Sequence, residues 1–183
     1  MCGWGVVVYV TSKAIIESHL VEFTDFAGEI GRLGGVKNFP VHIELRRDSD
    51  GTLLPIEVNP MRFGGWCTTA DISFLAYEFN PYLYYYKQQT PDWSQLLQGK
   101  EGKLFSIVVL DNSTGVEIGK IKSFAYDLLL KRFKKPLELR KTSFQESPVF
   151  GFLFTENGKR YNFGELKDIL DSKLREFITW REN

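Results

Sequence analysis

The chain has 183 residues, with 23 Lys plus Arg against 23 Asp plus Glu, and 43% of its residues are hydrophobic. That suits one ordinary domain or two small ones with a sizeable core, and the balanced charge excludes the basic footprint of a nucleic-acid binder. No apolar run reaches membrane-spanning length. The opening MCGWGVVVYV has neither the basic start nor the cleavage site of a signal peptide. The two cysteines, Cys2 and Cys67, are too few for a disulfide framework and lack zinc spacing, so a reduced, cytoplasmic setting is expected.

Val6 to Val10 reads as a buried strand. Phe23, Phe26, Ala27, Ile30 and Leu33 recur at helical spacing, and Gly34-Gly35 stops that helix. In FPVHIELRRDSDGTLLPIEVNP, two β-like runs flank Asp-Ser-Asp-Gly, and the Asp50-Gly51 step predicts a hairpin. Thr69 is expected to cap a helix through Ile72, Leu75 and Ala76. NPYLYYYKQQ predicts a second, buried helix. TPDWSQLLQG predicts a third, with Thr90 as N-cap, Pro91 at the first position and Gly99 as the stop.

Beyond Gly99 the composition shifts. KLFSIVVLDNSTGVEIGKI predicts two strands around a turn containing Gly115. SFAYDLLLKRFKKP predicts a helix carrying Phe124, Leu128 and Leu129, with KRFKK at 131–135 as its basic end. LELRKTS and PVFGFLFTENGKRYNF read as strands, the latter with a turn at Asn157-Gly158. A final amphipathic helix is expected to hold Leu166, Ile169, Leu170, Leu174, Phe177 and Ile178. The elements predict an α+β fold, an antiparallel or mixed sheet with packed helices. The expected division is residues 1–100 and a small α+β extension over 101–183, or one continuous domain.

The chemistry gathers at the hairpin. Period two puts Glu57 and Asn59 on one face of their strand. A two-residue Asp-Gly turn sets Glu44 opposite Glu57, and a four-residue turn makes them diagonal neighbours. Both place His42, Glu44, Glu57 and Asn59 on the same face. Opposed carboxylates repel. In a cleft, either one takes up a proton or a cation sits between them. With the amide oxygen of Asn59 the set is all oxygen, which suits magnesium completed by waters and substrate phosphates, and so points toward a nucleotide. Arg62 can hold a phosphate or carboxylate bidentately. Gly64 and Gly65 let backbone approach a ligand, and a helix start beyond them favours anions. Alongside these, His42 reads as a hydrogen-bonded neighbour and Arg46 as a surface arginine. Cys67 reads as a structural thiol, and the Tyr84-Tyr85-Tyr86 run as packing.

HIELRRDSDGTLLPIEVNPMRFGGW resembles the metal-binding hairpin of the ATP-grasp superfamily, in which one strand carries an acidic residue and the next carries Glu-x-Asn. The resemblance covers roughly residues 5 to 80. It implies the fold of an ATP-grasp C-terminal subdomain, with Glu44, Glu57 and Asn59 as ligands of Mg2+ (or Mn2+) that carries ATP. It implies Arg62 as the catalytic group at the transferring phosphoryl or acyl phosphate, and Gly64 and Gly65 beside the cofactor. The activity implied is ATP-dependent ligation of a small carboxylate through an acyl phosphate. Met61 stands where the family usually has arginine. The family's upstream phosphate loop and lysines have no counterpart before Val6. The chain is therefore expected to be a C-terminal portion that needs an upstream ATP-grasp part, or to associate with itself. The alternative is a non-catalytic interaction module that keeps the half-fold, and a metal-dependent hydrolase using His42 as base is weaker still.

Overall fold

A computed structural model describes residues 6–112, 114–158 and 163–181. In chain order the elements are β1 (Val7–Thr11), α1 (Lys13–Leu33), β2 (Val41–Arg47), β3 (Leu53–Pro60), α2 (Thr68–Tyr77), α3 (Pro81–Tyr86), α4 (Trp93–Leu96), β4 (Leu104–Asp111), β5 (Ile121–Phe124), α5 (Tyr126–Leu130), β6 (Pro136–Lys141), β7 (Val149–Asn157), α6 (Gly164–Ser172) and β8 (Ile178–Trp180). The fold is α+β with antiparallel sheets. It divides into two compact units, one of Met1–Lys13 with Lys100–Asn183 and one of Ala14–Gly99. Among the described residues, no helix is long and apolar enough to cross a membrane.

The first unit is built on a four-stranded sheet in the order β1-β4-β7-β6. β4 (LFSIVVLD) and β7 (VFGFLFTEN) are near-continuous apolar runs, and nearly every residue of both is buried, as expected of strands covered on both faces. One face carries Leu104, Val108, Leu110 and Leu153 in a core shared with Leu129, Leu166, Ile169 and Phe177. Gly151 is dictated by close approach, because a Cβ there would lie 2.4 Å from the Arg140 carbonyl oxygen on β6. Within this apolar sheet Ser106, Thr155 and Asn157 are buried. They satisfy one another: the Ser106 and Thr155 hydroxyls lie 2.7 Å apart, and each is 2.9 Å from the Asn157 side-chain oxygen.

Several elements differ from the sequence expectation. The strand expected after Gly115 begins only at Ile121 and pairs with β8 rather than with β4. Phe124 ends that strand, and α5 has five residues, so residues 131–135 follow the helix instead of closing it. The final helix stops at Ser172 because Lys173 and Leu174 are both left-handed (φ 50° and 58°). The chain then makes a short 3-10 turn and the strand β8, while Leu174 and Phe177 remain buried. Cys2 and residues 159–162 of the expected last β-hairpin lie outside the described residues.

The second unit holds α1, the β2–β3 hairpin and α2 to α4. α1 runs 21 residues, ten earlier than its apolar periodicity suggested, and none of its residues is buried. α2 buries Thr68, Ala70, Ile72, Ala76 and Tyr77. α3, expected to be buried, has no buried residue, and Tyr86 is 85% exposed. Its N-cap is Asn80, whose side chain accepts from the Leu83 N–H at 3.1 Å. α4 is capped by Asp92 rather than Thr90: the Asp92 carboxylate accepts from the backbone N–H of Ser94 at 3.0 Å and of Gln95 at 3.3 Å. An aromatic cluster links these short helices, with Phe79 4.8 Å from Tyr84 and 5.2 Å from Trp93 between ring centres.

Candidate functional site

The hairpin pairs Val41 with Pro60, His42 with Asn59, Ile43 with Val58 and Glu44 with Glu57, then Leu45 with Pro55, Arg46 with Leu54 and Arg47 with Leu53. Five residues, Asp48 to Thr52, connect the strands, an odd count that sets the pairing next to the loop. Continued unbroken, that register would place Glu44 opposite Ile56 and turn Glu57 and Asn59 to the other face. A β-bulge beyond Leu45, with Ile56 as the extra residue, corrects it. A one-residue slip flips a strand's faces, and here the bulge uses that slip to bring Glu57 against Glu44. Ile56, left unpaired, is 65% exposed.

The loop is held by its own polar groups. The Asp48 N–H donates to the Thr52 carbonyl at 2.9 Å, and the Gly51 N–H to the Asp48 carbonyl at 3.0 Å. Gly51 has φ 91°, which only glycine adopts without strain. The Thr52 N–H donates to the Asp50 carboxylate at 2.8 Å and holds that group below its usual range. Arg47 ties the loop to α1, donating to the Gly51 carbonyl at 2.8 Å and to both Glu22 oxygens at 3.0 and 2.6 Å. The sequence reading does not contain this brace, because it starts the helix at Phe23, one residue after Glu22.

On the resulting face the Glu44 side chain is 49% exposed, and its carboxylate oxygen lies 3.5 Å from His42 Nε2. Opposed pairs have Cβ atoms roughly 5 Å apart, so Glu44 and Glu57 share one patch of surface. The side-chain nitrogen of Asn59 is buried with no hydrogen-bond partner among the described residues. Arg46, one pleat along β2, is exposed and meets no carboxylate among the described residues.

β3 runs straight into a corner of unusual backbone. Met61, Trp66 and Cys67 are non-glycine residues at positive φ (57°, 53° and 60°), and Gly64 has φ 110°. Such conformations cluster at functional sites. A Cβ on Gly64 would lie 2.5 Å from Thr69 Oγ1 and 2.6 Å from Thr69 Cβ, and one on Gly65 would lie 3.1 Å from Arg62 Nη2. The exposed Arg62 guanidinium thus folds back over Gly65. Phe63 anchors the corner, 4.5 Å from the Tyr82 ring and 5.7 Å from the Tyr85 ring. α2 starts at Thr68, one residue before its expected cap. Its N-cap, Cys67, offers no side-chain bond, and the Thr68 hydroxyl donates to the Gly65 carbonyl at 2.9 Å. Cys67 is an exposed free thiol.

Among the described residues, no group of three or more His, Cys, Asp or Glu converges to hold a metal. A cation on this face would have two carboxylates and the Asn59 amide oxygen, with the rest of its shell from outside the protein. Hard divalent cations that travel with phosphates accept such a partial set.

Residues 5–70 match the family model described as an ATP-grasp domain. The crystal structure of an L-amino acid ligase from Bacillus licheniformis is similar in fold, with a TM-score of 0.61 at 16% identity over 96% of this chain. The present chain spans 46% of the length of that ligase chain. No curated protein matches. In fold, then, this is an α+β protein similar to that ligase. The stretch similar to an ATP-grasp domain contains the hairpin and the glycine corner.

Proposed function

We propose that the chain is the C-terminal portion of an ATP-grasp ligase, which binds Mg-ATP and supports ATP-dependent ligation of a small carboxylate through an acyl phosphate. The observation that carries this reading is the bulge-corrected register, which sets Glu44 against Glu57 and Asn59 beside them within the residues matched to the ATP-grasp domain.

The donor set fits the cation. Two opposed carboxylates on a solvent-accessible face repel unless a positive charge joins them. The orphaned Asn59 nitrogen supports the same reading, since a buried donor without an acceptor costs about 1–3 kcal/mol. A phosphate oxygen at that nitrogen, or rotation of the amide to present its oxygen to a cation, recovers this cost. When bound, Mg2+ neutralises charge that develops on the phosphates. Glu44, Glu57 and Asn59 hold and orient it. Arg62 donates to oxygens of the transferring phosphoryl group or of the acid it joins. Gly64 and Gly65 keep that corner free of side chains, and the N-terminus of α2 adds a favourable dipole for anions. The remaining phosphate and adenine contacts belong to an upstream ATP-grasp part, with which this portion works.

A second reading, a non-catalytic interaction module that keeps the half-fold, is favoured by α1, where Val21 is 72% and Leu33 71% exposed.

The two readings separate in an NMR experiment on the 15N-labelled chain. Substoichiometric Mn2+ with ATP should broaden the amides around Glu44, Glu57 and Asn59. Glu57→Gln and Asn59→Ala should each weaken that effect by at least about tenfold. Broadening that persists unchanged in both variants, or that never appears at the hairpin at millimolar Mn-ATP, refutes the ligase reading.

A further inference from the structure

In the first unit, the turn from β5 into α5 and the end of β6 wall an open cleft of about 470 Å3, lined by Phe124, Tyr126, Asp127, Leu128, Lys131 and Lys141. Its size falls within the range of small-molecule sites. The aromatic wall is fixed. The Tyr126 hydroxyl donates to the Phe150 carbonyl at 2.7 Å. The Tyr126 ring packs 4.9 Å from Phe124, which stacks 4.4 Å from the fully buried Phe150. Burial raises the Tyr126 phenol above its ordinary value, so the ring stays neutral near pH 7.

The cleft carries charge as well as an aromatic wall. Three lysines elsewhere in this unit end on carboxylates, Lys13 on Glu101 at 2.8 Å, Lys135 on Glu156 at 2.6 Å and Lys120 on Glu117 at 3.1 Å. Lys141 instead stands 4.7 Å from the centre of the Tyr126 ring. Neither it nor Lys131 meets a carboxylate among the described residues, although Asp127 lines the same cleft. A cation over an aromatic face gains from the ring's quadrupole, yet two ammonium groups against one carboxylate leave the cleft one positive charge in excess. Leu128, 43% exposed, adds an apolar wall.

We propose that this cleft binds a small amphiphilic monocarboxylate, its carboxylate held by Lys131 and Lys141 and its apolar body laid on Tyr126 and Leu128. A phosphate monoester, near −2 at neutral pH, exceeds the single excess charge and is repelled by Asp127. A monocarboxylate matches it. The reading uses no residue of the hairpin, so it and the ligase reading stand or fall separately.

The test is a 15N NMR titration of the full chain with N-acetyl-L-phenylalanine, its neutral primary amide and phenyl phosphate. The carboxylate should give saturable shifts at the amides of residues 124–131 and at Lys141. The neutral amide and phenyl phosphate should each bind at least about fivefold more weakly. The double variant Lys131→Gln/Lys141→Gln should weaken carboxylate binding by at least about tenfold, and Asp127→Asn should strengthen it about two- to threefold. Any of four outcomes overturns the proposal: no saturable shift up to the solubility limit, equal binding of the neutral amide, tighter binding of phenyl phosphate, or a double variant that binds unchanged with its sheet amides undisturbed.

Discussion

Gly64→Ala tests the corner that joins the hairpin to α2. Gly64 has φ 110° and ψ 162°, a region essentially reserved for glycine, where a side chain costs about 1–3 kcal/mol. The new methyl would also lie 2.6 Å from Thr69 Cβ. Rotation about χ1 moves Thr69 Oγ1 but leaves Cβ where the helix backbone puts it. Relief therefore needs the corner or the first turn of α2 to move, at an overpacking cost of about 1–3 kcal/mol. Together these destabilise the corner by about 3–4 kcal/mol, which is two to three decades in its opening equilibrium. Native-state amide exchange in α2 reads that change directly and avoids assuming one cooperative transition for a chain of two units. Thr69→Gly removes the obstructing Cβ and leaves the backbone strain. The double variant should therefore recover about 1–2 kcal/mol beyond additivity. Unchanged exchange in Gly64→Ala, or strict additivity of the pair, refutes the reasoning.

The other predictions are briefer. Gly151→Ala sets a Cβ 2.4 Å from the Arg140 carbonyl oxygen, where backbone cannot yield within the paired β6–β7 ladder. A loss of about 3 kcal/mol or more in urea unfolding followed at Trp180 is expected. Asn157→Ala leaves the buried Ser106 and Thr155 hydroxyls with only each other and should cost about 1–3 kcal/mol in the same assay. The Asp92 carboxyl is held below its ordinary value of 3.8, first by the Ser94 hydroxyl and then by the Gln95 N–H. Because its folded value is depressed, its contribution to α4 is complete above the unfolded value and is lost as pH falls through the folded one. Protection of the α4 amides, relative to their intrinsic exchange at each pH, should fall below about pH 4, and Asp92→Asn should flatten that dependence. Arg47→Ala removes the leading cause of the lowered Glu22 carboxyl, so the NMR titration of Glu22 should move upward.

How far the sequence speaks depends on how local the governing contact is. That Glu44 and Glu57 share a face follows from strand parity and the Asp-Gly step, both read within twenty residues. The route differs: a five-residue loop and a bulge at Ile56 replace the expected turn of two or four residues, and nothing in Leu-Pro-Ile-Glu marks which residue is extra. Parity gave the right face only because the loop and the bulge are each odd and their effects cancel. The reading of α1 from Phe23 is too short: Ile16 and Leu20 carry its apolar stripe back at i−7 and i−3, and the Arg47–Glu22 brace goes with the missing turns. The reading of the final helix is too long. Leu174 and Phe177 keep helical spacing and are buried, but two consecutive left-handed residues deliver them through a turn instead. Tertiary contacts across some hundred positions, such as Val8 with Val108, left no local signal at all.

The pairing of β1 with β4 also bears on the order of events during synthesis. Val7–Thr11 is among the first described stretches to leave the ribosome, yet its hydrogen-bonding neighbour is Leu104–Asp111. Residues 14–99 thus form an intervening block that emerges whole before the strand on either side of it can be matched. The Lys13–Glu101 ion pair sits where that block departs and returns. Nascent β1 must wait, extended and apolar, through the translation of about ninety residues, and it is during this interval that a chaperone has the most to protect.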